Sequence, residues 1–466
     1  MAREVRLTLL GVFIGLFLAA LDQTVTATAL PRILADLGGE AWYGWVGALY
    51  LLGSTIAAPV AGRLTEIISR RKVLIGALSL FGLGSFLCGS AIHFSQLLAF
   101  RFVQGLGGGA LFSLAFTTLA WFFPPRERSR WAGLIGALFG MAGALGPVIG
   151  GVIAENLSWR WAFWGNLPFL VLAVVFVFRY LPAHGTLESE PMDIKGAFLM
   201  ALWAAPLLLA FSFWGPERLG SPVWGIGLFM GSLLMLWVWI RAERFHPAPL
   251  FDLRLVQIPT FRYAALAGFF FGAIFMAGVT FLPLYLQGVL GYSPRQSGLL
   301  LLAFTVGAVF STGAVGAWVS RHGRYKPILL ICGIALTVIF GVARVALPSQ
   351  ISMGWLLLAM VSAASLLGPF QALLSVVGQN DIPQTRVGSA TSALQFMRQV
   401  GSTLGLAVVN ILYLTNMDKG TASPEILLRG IQGVMGGMMG FGVFLCGFVL
   451  LLPDRYLSRR HSSGRA

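Results

Sequence analysis

Apolar runs of about 20 residues recur along the whole of this chain, and nothing else in it constrains the fold as strongly. A helix rises ~1.5 Å per residue, so a run of this length crosses the ~30 Å hydrocarbon core of a bilayer. Such spans are expected to begin near Leu7, Gly44, Val73, Gln96, Trp131, Ala162, Ile194, Val223, Phe261, Gln296, Pro327, Ser352, Ala390 and Leu428. Charged residues make up 11% of the chain and hydrophobic residues 57%, with a mean hydropathy of +0.82. An average soluble domain carries roughly 25% charge. The runs are continuous rather than alternating at every second position, which excludes a membrane barrel and leaves helices that satisfy their own backbone in lipid. The expected class is an all-α polytopic membrane protein with fourteen transmembrane helices. The first run holds Asp22 and Pro31 and shows no small-residue cleavage pattern, so it reads as a retained span.

A formal charge of +15 invites a nucleic-acid partner, but the bases sit in short connections on one membrane face. Arg3, Arg6, Arg70, Arg71, Lys72, Arg126, Arg128, Arg130, Arg241, Arg244, Arg321, Arg324 and Lys326 fall there, against Arg32, Arg160, Arg218, Arg295 and Lys419 opposite. That is the positive-inside pattern. It predicts a multi-pass protein of a bacterial-type cytoplasmic (inner) membrane, both termini cytoplasmic, with the bilayer and not nucleic acid as its partner. Cys88, Cys332 and Cys446 lie in separate spans and read as buried apolar thiols. Gly105 to Ala110 (GLGGGA) fits a dinucleotide fingerprint but lacks the strand and βαβ unit that fingerprint needs. With no zinc spacing, phosphate loop or nucleophile elbow, no enzyme, metal or cofactor is expected.

Gly62 to Lys72 (GRLTEIISRRK) and Gly316 to Lys326 (GAWVSRHGRYK) each follow the second span of a block, open on Gly and close on a basic pair. This repeat divides the chain into two six-helix halves, residues 1–182 and 257–466, with two inserted helices in 183–256. Parallel halves related by an axis along the membrane normal, with a substrate path between them, define one large class of transporter.

Asp22 is the lone carboxylate of the first span. A carboxylate at membrane depth costs at least ~2.5 kcal/mol and normally marks a partner or a water path. It lies about fifteen residues into its helix, roughly 22 Å along the axis. A group that is alternately desolvated and paired takes up and releases a proton in turn. A structural carboxylate bonding a neighbouring helix is the rival reading. Arg101, five or so residues into the fourth span, either serves Asp22 or snorkels to the headgroups.

Several motifs resemble the major facilitator superfamily, and within it the fourteen-helix drug:H+ antiporter family, over nearly the whole chain. Leu21 to Pro31 (LDQTVTATALP) is similar to that family's first-helix signature, with Ala27 where Asn is usual. Arg101, Gln104, Gly105 and Gly107 match its fourth-helix motif, and Gly146, Pro147, Gly150 and Gly151 its fifth-helix antiporter motif, with Ala142 replacing the leading Gly. Trp159 to Pro168 (WRWAFWGNLP) and Phe396 to Gly405 (FMRQVGSTLG) resemble the start of its sixth helix and its thirteenth-helix pattern. The loop after the second span departs from the superfamily: Glu66, Ile67 and Ser69 stand where Asp, Arg and Gly are usual.

The resemblance implies proton transfer between Asp22 and Arg101, and conformational roles for Gly62, Glu66, Arg70, Arg71, Gln104, Gly105, the fifth-helix motif, Gly316, Arg324 and Arg398. Gly133, Gly136, Gly140, Gly143, Gly146 and Gly150 recur at three- and four-residue spacing, a face for close helix approach with a kink point at Pro147. Glu155 and Arg429 fall at the outer ends of opposite halves and form a candidate outer gate. Phe112, Phe116, Phe139, Phe270, Met276 and Phe396 lie at mid-span depth and are candidate cavity residues, a compliant surface for lipophilic ligands. With Asp22 as the acid near the path, cations are the expected substrates. The expected function is thus monomeric, proton-coupled export of small lipophilic or amphiphilic compounds by alternating access. An exporter or flippase of lipids or lipid-linked molecules is the alternative, and a membrane anchor or sensor is disfavoured by the antiporter motif.

Overall fold

The computed structural model describes residues 3–38, 45–182, 193–212, 222–246, 249, 251–292, 294–383, 386–416 and 424–457. The described residues are helical throughout the expected spans. They form α1 (Arg3–Leu37), α2 (Trp45–Ile67), α3 (Arg70–Gly89), α4 (Phe94–Phe122), α5 (Pro125–Asn156), a short α6 (Trp161–Trp164) running into α7 (Leu167–Tyr180), α8 (Ile194–Ser212) and α9 (Pro222–Phe245). Then come α10 (Pro259–Leu284), α11 (Pro294–His322), α12 (Lys326–Ala346), α13 (Met353–Gly378), α14 (Val387–Thr415) and α15 (Pro424–Leu451). Among the described residues, 12 helices are long and apolar enough to cross a membrane. The helices α8 and α14 fall outside that count: of α8 it takes in only the described stretch Lys195–Leu207, and in α14 Gln395, Arg398 and Gln399 dilute the hydropathy.

Prolines open α5 and α10, where a missing N–H costs nothing, and Pro59, Pro283 and Pro369 sit inside α2, α10 and α13. A π turn, Tyr285–Val289, follows Pro283. Outward faces are apolar because their solvent is lipid: Ile331, Ile334, Val338 and Val342 of α12 are all exposed at helical spacing.

Packing runs α1 on α5 and α7, α2 and α3 on α4, then α10 on α14 and α15, α11 on α13, and α12 on α15. Between these groups α5 packs on α11 and α13, and α2 on α14. The inserted pair α8 and α9 pack on one another, and α8 leans on α2. Where α4 crosses α2, a Cβ at Gly105 would run into the Tyr50 backbone and one at Gly109 into Ser54. Small residues let helices approach this closely, and that approach brings Arg101 and Gln104 beside α1.

Candidate functional site

The helix α1 delivers Asp22, and α4 delivers Arg101 and Gln104, which share a helix face three residues apart. Asp22 and Arg101 are each 1% exposed. Arg101 Nη1 lies 2.5 Å from Asp22 Oδ2, Gln104 Nε2 donates to Oδ1 at 2.8 Å, and Asn166 Nδ2 donates to the same oxygen at 3.3 Å. Ser85 Oγ of α3 accepts from Gln104 at 2.7 Å and from Asn166 at 3.3 Å. Arg101 also donates to Gln104 Oε1 at 2.7 Å and to the Val46 carbonyl at 3.3 Å, and its guanidinium lies 4.5 Å from the centre of the Tyr50 ring. A buried ion pair holds when its remaining donors and acceptors find partners, and here both Asp22 oxygens and the Nε and Nη1 of Arg101 are hydrogen-bonded. The arrangement can exchange one ionic contact for a proton without exposing either group to lipid.

A cavity of about 520 Å³ lies between the two packing groups, within the range of small-molecule sites. Phe112, Phe139, Phe271, Phe275 and Met276 form its apolar walls, and Gln23, Gln399 and Asn410 add polar groups. Phe112 and Phe139 meet edge to face at 4.9 Å. Among the described residues, Arg398 is the one charged side chain in the lining. It donates to Gln371 Oε1 at 3.0 Å and stands 4.5 Å over the Phe112 ring. Tyr50 separates cavity from ion pair: it lines the first, underlies Arg101 in the second, and anchors its hydroxyl on the Ala19 carbonyl at 3.2 Å. Asp22 lies outside the lining, so the premise for a cationic substrate is absent from this geometry.

The sequence-derived positions divide accordingly. Phe112, Phe139 and Met276 line the cavity. Phe116 is buried behind Phe112, and Phe270 stacks on Phe444 and Phe448 away from the path. Phe396 faces a second, lateral cavity of about 730 Å³ between α8, α9, α10 and α14, walled by Trp203, Leu236, Trp239, Phe251 and Val400. On α5, a Cβ at Gly146 or Gly150 would meet Thr24 or Thr28 of α1, Gly151 has open space, and Gly136 and Gly140 face α11 and α13. The side chains of Pro147 and Glu155 lie outside the described residues, so the Glu155–Arg429 gate has no geometry here. Asn166, Ser85 and Tyr50 are additions of the structure.

At the face carrying the chain ends, the two packing groups are bonded together. Glu66 Oε1 accepts from the Ser389 N–H at 2.8 Å, in the first turn of α14, and Arg63 Nη1 pairs with Glu66 Oε2 at 2.7 Å. A Cβ at Gly62 would collide with Ser392. The cation missing at Ile67 is thus supplied by Arg63, one turn earlier. Ser113 and Ser392 hydroxyls meet at 2.8 Å, and Arg128 Nη1 donates to Gln379 Oε1 at 2.9 Å. Burial pushes the Arg128 guanidinium down to about 10, and the Phe123 and Ala120 carbonyls also accept from it. Arg70 and Arg71 stand over Trp121 and Phe178 at 4.8 and 4.0 Å. In the second copy of the repeat, Gly316 is buried within α11, and Arg324 binds the Tyr456 hydroxyl at 2.8 and 3.0 Å, which holds its pKa above the ordinary arginine value.

Two helical groups around a central cavity, with a buried ion pair in one of them, define a transporter. A family model described as Major Facilitator Superfamily matches residues 12–406, and the chain belongs to that superfamily. It is 30% identical over 451 residues to the multidrug transporter protein MdtP of Bacillus subtilis (strain 168), covering 97% of this chain and 83% of that one. Multidrug resistance protein 3 of the same organism is 28% identical, over 97% and 89% of the two chains. The crystal structure of the human organic anion transporter MFSD10 (TETRAN) matches with a TM-score of 0.65 at 19% identity, over 97% of this chain and 100% of that one, a likeness of fold. The chain is a multi-pass membrane transporter, not an enzyme.

Proposed function

We propose that this transporter is a proton-coupled antiporter that exports lipophilic and amphiphilic compounds by alternating access, through rocking of halves 1–182 and 257–466 about the central cavity. The observation that carries the reading is the buried Asp22–Arg101 pair, separated from the cavity by one aromatic ring. Protonation of Asp22 discharges the carboxylate, frees Arg101 to rely on Gln104 and the Val46 carbonyl, and loosens the Tyr50 wall. Substrate in the cavity then presses on the same ring from the other side, so occupancy and protonation bias one equilibrium without competing for one site. By the positive-inside pattern the chain-end face is cytoplasmic and the membrane is the bacterial inner one. The inter-group bonds at Glu66, Ser113 and Arg128 then favour an outward-facing arrangement. Fourteen crossings, with α8 and α14 among them, and a monomer complete this reading.

Everted vesicles containing the protein should accumulate a lipophilic fluorescent probe when a pH gradient, acid inside, is imposed. Accumulation that ignores the gradient would remove proton coupling. A second reading, export of lipids or lipid-linked molecules, draws on the lateral apolar cavity beside α8 and α9. A labelled lipid moved between leaflets in preference to the probe would favour it.

A further inference from the structure

Arg398 stands outside the Asp22–Arg101 network, and among the described residues it is the charged group of the cavity lining. We infer that the cavity takes an amphiphilic anion, an aromatic body bearing a carboxylate, sulfonate or phosphate head, with the Arg398 guanidinium as its anchor. This assignment rests on the exporter reading and names the substrate class that reading leaves open.

Three observations carry it. The protein contacts of Arg398 are neutral, the Gln371 amide oxygen and the face of Phe112, and no carboxylate among the described residues lies within ion-pair distance. A guanidinium has five N–H donors, of which one is bonded to protein here. Half-buried at the cavity wall and permanently charged, it offers its remaining donors to whatever fills the cavity, water or an anionic ligand. Asp22, the nearest candidate by chemistry, is occupied by Arg101 and lies beyond Tyr50. The planar fork matches a carboxylate, sulfonate or phosphate through two parallel hydrogen bonds. Around it, Phe112, Phe139, Phe271 and Phe275 present ring faces and edges to an aromatic body. A cation in the same space would meet a like charge across low-dielectric walls.

The test uses 8-anilinonaphthalene-1-sulfonate and N-phenyl-1-naphthylamine, which share an aromatic body and differ in the sulfonate. Both are titrated against the full chain in lipid nanodiscs, with empty nanodiscs subtracted, and the ratio of their affinities is read. The ratio should favour the sulfonate in the natural protein. It should fall about tenfold or more in Arg398→Gln, the worth of a charged hydrogen-bonded contact. Arg398→Lys, which keeps the charge and loses the fork, should fall less. An unchanged ratio in Arg398→Gln, or an equal fall in Arg398→Lys, overturns the anion site. Transport is read separately: N-phenyl-1-naphthylamine moving under a pH gradient keeps the exporter reading standing whichever way the ratio goes.

Discussion

The two halves treat an arginine at membrane depth in opposite ways. In the first, Arg101 faces a carboxylate, an amide, a carbonyl and a ring, all inside one packing group. In the second, Arg398 faces an amide and a ring at the edge of a cavity. A closed network can trade a proton for an ionic contact, whereas an open one can trade water for a ligand. The difference separates the coupling site from the binding site within one repeat architecture, and it predicts unequal costs of mutation.

Breaking the comparison takes the largest effect first. Arg101→Ala strands a buried carboxylate and should cost about 3–5 kcal/mol in stability. Arg398→Ala removes a charge that has no carboxylate partner among the described residues, and should cost far less or nothing. Unfolding of both variants in one detergent checks this, and equal losses would erase the distinction.

The two copies of the repeat differ in the same spirit. Glu66 in the first copy bonds across the halves, while Arg324 in the second binds Tyr456 near the end of its own half. Glu66→Gln weakens charge-assisted bonds to Ser389 and Arg63, each worth about 1.5–3 kcal/mol. The chain-end face should therefore open about tenfold more often, read as a shift in distances between spin labels on the two halves. Tyr456→Phe should leave that distribution as it is.

The glycines of α5 sharpen the picture at a smaller scale. Gly140→Leu inserts bulk against Thr305 of α11 and should shift the label distances between halves. Gly146→Leu inserts it against Thr24 of α1, so it should lower stability by about 1–3 kcal/mol through overpacking and leave those distances near the natural ones. Matching behaviour of the two variants would show that α5 does not divide its glycines between partners.

Much of this was legible in the sequence, because membrane spans announce themselves by length and hydropathy. Asp22 was legible because a carboxylate is conspicuous among apolar residues, and Arg101 and Gln104 because their motif carried the resemblance. Other parts were hidden. Ser85 and Tyr50 are ordinary residues in a helix, and only the α2–α4 and α3–α4 crossings bring them to the ion pair. Asn166 stood within a quoted motif, but its reach to Asp22 depends on its place in the break between α6 and α7. Periodicity did not distinguish the phenylalanines: Phe270 and Phe271 are neighbours, yet one stacks on α15 and the other lines the cavity. The direction in which Asp22 faces was equally invisible, and the expectation of cationic substrates depended on it.

The central claim is that proton and ligand occupy separate sites joined through Tyr50, and Asp22→Asn tests it most directly. The variant keeps the shape of the side chain and cannot cycle a proton. In everted vesicles preloaded with unlabelled N-phenyl-1-naphthylamine, exchange of the probe without a gradient should continue, while uphill accumulation driven by a pH gradient should fall to background. Full gradient-driven accumulation by Asp22→Asn would contradict the account.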